Sequence, residues 1–194
     1  MKAAGAGAAL LPAIVAGMAL AQDNADTLAK QLSNPVASLI SVPLQLNYDE
    51  SYGELEGYRL TLNVQPGIPT SISENWNLIT RVIMPVIYQD DVLEASSQSG
   101  LCDTTPTFFF SPKSAPGGLI WGIGPVFLLP TATDDLLGTE KWGAGPSALV
   151  LKQTETGWTM GALVNHIESF ADSNDRADIS NTFIQPFLAK QFKG

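Results

Sequence analysis

From Ser38 onward, apolar and polar residues alternate with a period of two, the spacing that sends successive side chains to opposite faces of a β-strand. In the first run Ile40, Val42, Leu44, Leu46 and Tyr48 take one face, and Ser41, Pro43, Gln45 and Asn47 take the other. The second run sets Tyr58, Leu60, Leu62 and Val64 against Arg59, Thr61, Asn63 and Gln65. A third, longer run places Trp76, Leu78, Val82, Met84, Val86 and Tyr88 on one side; Asn77 and Arg81 stand on the other among Ile79, Ile83 and Ile87. Segments 104–112, 118–130, 141–153, 158–170 and 179–192 complete a set of eight predicted strands. Ahead of them, residues 23–33 carry a helical pattern: Leu28, Ala29 and Leu32 share a face, Asp23 and Asp26 stand near its start, and Pro35 closes it.

These runs are long enough for a tilted strand to cross a bilayer, which takes about 9–11 residues, whereas strands of soluble sandwiches centre near about 5–6. Aromatic residues sit near their ends: Tyr48, Tyr58, Trp76, Tyr88, Trp142, Trp158 and Phe170. That is where the rings of an interfacial girdle belong. The predicted connectors alternate in length. Segments 49–56, 89–103, 131–140 and 171–178 are long, while 113–117 and 154–157 are short and 67–75 is an exception. Fourteen of the 19 acidic residues fall in the four long connectors, and the short set holds only Glu74 and Glu155. Two chemically different ends follow, long loops outside and tight turns inside, as in outer-membrane barrels.

The beginning of the chain changes where the rest must work. Lys2, the apolar stretch Ala3 to Met18 and the small-x-small site Ala19-Leu20-Ala21 form a predicted signal peptide, residues 1–21. The expected division is therefore a signal peptide (1–21), a short N-terminal helix and linker (22–37), and a β-barrel domain (38–194). The net charge of −9 argues against nucleic acid as a partner, which requires a basic face. The single cysteine, Cys102, excludes an intrachain disulfide and paired-thiolate metal or redox chemistry.

Candidate chemistry is sparse. His166 is the only histidine; it shares a strand face with Glu168, while Ser169 points the other way, so a base and an orienting carboxylate lack a nucleophile on their face. The run Asp172, Asn174, Asp175 and Asp178 offers oxygen ligands, but Arg176 and Ala177 stand where an EF-hand loop needs a ligand and a glycine. The acidic outer loops remain candidates for collective divalent-cation binding. The glycines 117, 118, 122, 124, 143 and 145 lie within alternating strands and form no phosphate loop. Pro125 and Pro146 each follow one of them, which predicts bulged or locally unpaired ladder positions. Arg59 and Arg81 lie on the polar faces of neighbouring strands. With Gln45, Asn63, Gln65 and Asn77 they form the predicted lumen-facing, permeant-facing set.

Five segments, read together, carry a family resemblance: Phe108-Phe109-Phe110-Ser111-Pro112, the run from Gly118 through Trp121-Gly122-Ile123-Gly124-Pro125 to Ala132, Leu137 through Trp142-Gly143-Ala144-Gly145-Pro146, Leu163-Val164-Asn165-His166, and Gln185-Pro186-Phe187-Leu188. They resemble a family of outer-membrane transporters related to barrel proteins of phenol meta-cleavage degradation pathways, some members of which carry the label neuromedin U. The chain departs from that pattern at Cys102, where glycine is expected, and at Glu168, where an aromatic is usual. The resemblance implies an all-β, antiparallel transmembrane β-barrel, with about eight strands present here as part of a larger barrel truncated at its C-terminus. It also implies passive uptake across the outer membrane of small, hydrophobic or aromatic molecules, in contact with outer-membrane lipid. No enzymatic step, cofactor or metal is expected. The alternatives are a soluble periplasmic β-barrel that binds a ligand in its lumen, and an outer-membrane hydrolase centred on His166.

Overall fold

The computed structural model describes residues 40–92, 95–114, 116–172 and 176–190; the predicted signal peptide and the helix at 23–33 lie outside the described residues. The fold is all-β, an antiparallel sheet curled into a half-barrel. Its strands are β1 (Leu44–Tyr52), β2 (Gly57–Val64), β3 (Gly67–Ser71), β4 (Trp76–Asp90), β5 (Ser97–Leu101), β6 (Thr105–Pro112), β7 (Leu119–Leu128), β8 (Lys141–Gln153), β9 (Trp158–Asp172) and β10 (Ser180–Lys190). The order across the sheet is β1-β2-β4-β6-β7-β8-β9-β10, with β3 and β5 also paired to β4. β1 and β10 are its two edges and do not pair with each other.

Ten strands occupy eight lanes. β2 pairs with residues 84–90 of β4 and β3 with 77–81, so the two form one interrupted lane along one side of it. The interruption falls at Pro66, which has no N–H to give, yet its carbonyl still accepts from the Val82 N–H at 3.0 Å. On the other side β6 takes residues 76–83 and β5 takes 86–90, and the Cys102 N–H donates to the Pro85 carbonyl at 2.8 Å across the gap.

Two predicted connectors are corrected accordingly. Segment 67–75 is mostly the strand β3, leaving a tight turn at 72–75, so the anomalous inner connector is no longer an exception. Segment 89–103 begins with the end of β4 and contains all of β5. Both look like loops in the sequence because Gly-Ile-Pro-Thr-Ser and Ser-Gln-Ser-Gly-Leu have low strand propensity. They are ordered by the long β4 beside them, and among the described residues the side of β3 away from β4 is bridged only at Gly67, by Ser41, so Pro69 interrupts no described ladder.

The register sorts side chains into two faces. On the inner face Ile79, Phe109, Leu149, Leu151 and Leu163 form the buried cluster, with Ile120 and Phe187 packed against it. These residues come from β4, β6, β7, β8, β9 and β10, and lanes so far apart can meet only because the sheet curls. Glycine permits the tight approach of neighbouring lanes. A Cβ on Gly124 would sit 1.8 Å from the Phe108 carbonyl oxygen, and one on Gly145 would sit 1.8 Å from that of His166. Pro125 lies directly opposite Pro146 in the β7–β8 pair. Neither can donate to its other neighbour, and the β6–β7 and β8–β9 ladders skip a stretch there without a register shift. Of the two predicted outcomes, the ladder is locally unpaired rather than bulged. The one register irregularity in β8–β9 falls instead between Trp142 and Gly143.

Candidate functional site

The predicted lumen residues Gln45, Arg59, Asn63, Gln65, Asn77 and Arg81 all stand on the inner face. Gln45 faces Asn63 across β1–β2, Arg59 faces Gln89 across β2–β4, and Asn77 alternates with Ile79 and Arg81 along β4. The structure joins four of them into two lateral ladders. In one, Arg81 Nη2 donates to Gln65 Oε1 at 2.6 Å, and Gln65 Nε2 donates to Gln45 Oε1 at 3.0 Å. In the other, Arg59 donates through Nε and Nη2 to Gln89 Oε1 at 3.0 and 2.6 Å and through Nη1 to the Tyr52 hydroxyl at 2.9 Å. The same guanidinium lies 4.2 Å from the Tyr52 ring centroid. Asn63 and Asn77 share the face but belong to neither ladder.

Sequence parity misses Gln89 and Gln98, because 89–103 looks like a loop there and a loop has no face. Continuing the parity of Arg81, Ile83, Pro85 and Ile87 by one step would have found Gln89. It is wholly buried, and its amide passes the ladder on to Gln98 Oε1 at 2.9 Å and thence to Ser96 Oγ at 2.7 Å. Among the described residues neither arginine meets a carboxylate; their acceptors are glutamine carbonyls and a phenol. Gln89→Leu keeps the volume but strips Arg59 of its main acceptor and Gln98 of its donor. The expected cost is about 2 kcal/mol, read as a lower urea midpoint of the refolded protein at unchanged slope.

The loop end is tied down differently. Asp103 is buried and accepts from the Thr139 N–H at 2.7 Å, the Thr139 hydroxyl at 2.6 Å and the Ala132 N–H at 3.2 Å. Arg176 pairs with Glu140 at 2.7 Å and donates to the Asp135 carbonyl at 2.8 Å. The hydrogen bond and charge of Glu140 raise its affinity for its proton further. In the predicted oxygen-ligand run, Asp178 accepts from the buried Lys141 ammonium at 3.1 Å, and 173–175 lie outside the described residues. Among the described residues no group of His, Cys, Asp and Glu is arranged to hold a metal ion.

His166 and Glu168 stand together, Nε2 to Oε1 at 3.6 Å, while Ser169 Oγ accepts from the Ile179 N–H at 2.9 Å. The residue that sequence reasoning missed is Thr182, directly opposite on β10, whose hydroxyl lies 2.8 Å from His166 Nδ1. Strand-internal parity could not reveal a partner contributed by the next strand. The three side chains sit on the outer face at the edge of the sheet, where the Thr182 hydroxyl is hydrogen-bonded to Nδ1 and the Glu168 carboxylate stands near Nε2 without a hydrogen bond to it.

Large apolar residues otherwise dominate that outer face. Leu44, Leu46, Val86, Phe110, Ile123, Val150, Met160, Val164, Ile184 and Leu188 are exposed on it. Aromatic residues bound the band at both ends. Tyr48, Tyr58 and Tyr88 follow one another with centroids 6.1 and 5.9 Å apart toward the loop end, with Trp142 and Phe170 on later strands. Toward the turn end Trp76 meets Trp121 edge-on at 5.7 Å, and Lys190 lies 4.8 Å from the Trp158 ring. Between them, the opposed Pro125 and Pro146 floor an apolar groove of about 760 Å³ walled by Trp76, Phe110, Ile123 and Val164.

No protein-family model, curated protein or solved structure matches this chain.

Proposed function

We propose that this sheet is wall from an outer-membrane β-barrel through which small molecules pass passively, with the inner face lining the passage and the outer face against lipid. The observation that carries the reading is the slant of the aromatic rows. Trp76 and Tyr88 on β4, and Trp158 and Phe170 on β9, are each twelve residues apart, with midpoints at Val82 and Val164. The register row through Val164 runs by way of Ala148, Ile123 and Phe110 to Leu78, four residues short of Val82. Four residues is roughly 13 Å along a strand, gained over four lanes or roughly 19 Å across the sheet. The rows therefore slant by about 35°, the tilt of barrel strands in a membrane. At that tilt, twelve residues separate the rings by about 32 Å, close to the bilayer hydrocarbon thickness.

The inner face supports the same reading from the other side. Its buried polar residues, Gln65, Gln89, Gln98, Thr107, Ser111, Ser147 and Thr159 among them, equal its apolar core in standing, and no buried side-chain polar atom among the described residues lacks a partner. The family resemblance of the Gly-Pro segments agrees with a transporter. The unpaired edges of β1 and β10 require strand partners in lipid, supplied by further strands or by other copies. The test is refolding of the chain from urea into phosphatidylcholine vesicles. Insertion is expected to protect the strands from protease, and conductance steps are expected in planar bilayers. A chain that refolds to a stable soluble monomer without detergent would instead be a periplasmic ligand-binding barrel.

A further inference from the structure

The apolar groove on the outer face arises from a size difference between neighbouring lanes. Ala148 on β8 stands between Ile123 on β7 and Val164 on β9, and Pro146 lies one pleat toward the loop end. The small side chains form a trough and the larger ones its walls, with Phe110 opposite Ile123 and Trp76 at the far end. Ile123 is 53% and Phe110 42% exposed, so the walls are accessible surface rather than packed core. The space they bound is about 760 Å³.

This groove has a direction. His166, at one end, is two residues to the loop side of Val164; Trp76, at the other, is two residues to the turn side of Leu78, which shares the register row of Val164. From His166 to Trp76 the groove therefore falls four residues, roughly 13 Å, along the strands while crossing four lanes, roughly 19 Å. With strands tilted by about 35°, that diagonal runs within about 20° of the membrane normal. Trp76 lies in the turn-end ring row and Val164 midway between the rows, so most of the groove spans one leaflet, about 15 Å of hydrocarbon. Its walls are aliphatic and aromatic carbon, which water does not wet. An acyl chain in the trough meets side chains on three sides instead of one. In lipid, where there is no hydrophobic gain to compete for, such dispersion contact decides where a chain rests.

We propose that the groove is a binding site for one phospholipid of the turn-side leaflet, its acyl chain lying along the trough from Trp76 toward His166 and its phosphate standing beyond the Trp76–Trp121 pair. The assignment rests on the membrane reading of the outer face, and it singles out one lipid from the layer around the barrel. Charge selects the leaflet. Among the described residues the turn end carries Lys113, Lys152 and Lys190 against Glu74 and Glu155, whereas the loop end is strongly acidic. Lys113 stands beside the groove mouth, its N–H bonded at 2.9 Å to the carbonyl of Asn75, the neighbour of Trp76. Lys152 is exposed on the outer face opposite Leu119. A phosphate is attracted to that end and repelled by the other. The edge-on contact of Trp76 and Trp121 at 5.7 Å sets two amphipathic rings at the headgroup boundary, where such rings settle.

The test titrates the refolded chain in detergent micelles with phosphatidylglycerol brominated on one chain, either near the headgroup or near the methyl end. A Trp142→Phe background leaves Trp76, Trp121 and Trp158, all at the turn end, as the emitters. Quenching is expected to saturate at one lipid per chain and to be stronger for bromine near the headgroup. Ala148→Phe fills the trough from an exposed position and is expected to weaken binding at least about tenfold, the loss from displacing a few methylenes. Ile123→Ala, which lowers a wall without crowding the sheet, is expected to weaken it several-fold. Met160→Phe, on the same face but outside the groove, is expected to leave it unchanged. Quenching that never saturates, or that is the same in all three variants, would overturn the site. Stronger quenching from the methyl end would invert the lipid and overturn the choice of leaflet. A dimer that Ala148→Phe dissolves would give the groove to a second copy and overturn the lipid. Protease-protected insertion into vesicles with no saturable site refutes the bound lipid and spares the membrane wall. Saturable binding by a chain that stays a soluble monomer without detergent retires the membrane wall and leaves the groove standing as a lipid-binding site.

Discussion

Val164→Arg is expected to cost roughly 2–4 kcal/mol of folding free energy in a bilayer, the price of a cation at the midplane of a lipid-facing barrel wall. Val164 lies six residues from Trp158 and six from Phe170, is 38% exposed on the outer face, and has Ala148 and Ile184 as its strand neighbours. Nothing near enough along the strand can pair with the new charge, since Glu168 is four positions away on the same face. Ser99→Arg provides the depth control. It lies opposite Tyr88, in the ring row at the loop end, where the same substitution should cost about 0–1 kcal/mol. Equilibrium refolding into phosphatidylcholine vesicles, followed by tryptophan emission, measures both. Equal and negligible costs would remove the lipid from the outer face, because an exposed valine on a soluble sheet tolerates arginine within about 0.5 kcal/mol.

The depth argument depends on a slope that no single strand contains. Alternation within each run was legible from the sequence, because a strand buried on one side and wet on the other writes its two faces into every second residue. All eight predicted lanes are present, and Gln45, Arg59, Asn63, Gln65, Asn77 and Arg81 share the face that alternation assigned them. What the period cannot express is register. The offset between Val82 and Leu78 arises from pairings summed over four strands, so the slant of the rings emerged only once those pairings were known.

The misses have the same origin. β3 and β5 are strands by virtue of β4, which is 15 residues long and offers ladder positions that weak local sequences fill. Their Gly, Pro and Ser residues read locally as turn, and tertiary pairing overrides that preference. Gln89 was lost with them, and with it the acceptor that engages Arg59. Thr182 was invisible because its partner His166 lies on another strand. Parity within a strand finds faces, whereas partners across strands need the register.

Asp103 is the extreme case of a residue whose role sequence alone could not supply, and Asp103→Ala is expected to destabilise the loop end by about 3 kcal/mol. It sits in the gap between β5 and β6 and is only 4% exposed, whereas the sequence places it among the solvated acids of a long outer loop. Instead its two carboxylate oxygens take three donors from the 131–140 segment: Oδ1 from the Ala132 N–H, Oδ2 from both the N–H and the hydroxyl of Thr139. The gap makes this possible, since residues 102–104 are free of regular β5 or β6 pairing and can turn a side chain toward the loop. Gly138 adds a steric requirement, because a Cβ there would lie 3.0 Å from Asp103 Oδ1 and 2.3 Å from the Ala132 Cβ. Truncation to alanine removes the acceptor and strands three donors at once, each of them part-buried and carrying a desolvation cost of its own. Asn should lose less, because its single carbonyl can keep the Thr139 amide. Hydrogen exchange locates the effect. In Asp103→Ala the amides of Ala132 and Thr139 should exchange at least about a hundredfold faster, matching the local loss of about 3 kcal/mol, while Leu149 and Leu151 at the turn end keep their protection. Uniform acceleration through both ends would mean that the clamp supports the whole sheet rather than the loop across its mouth.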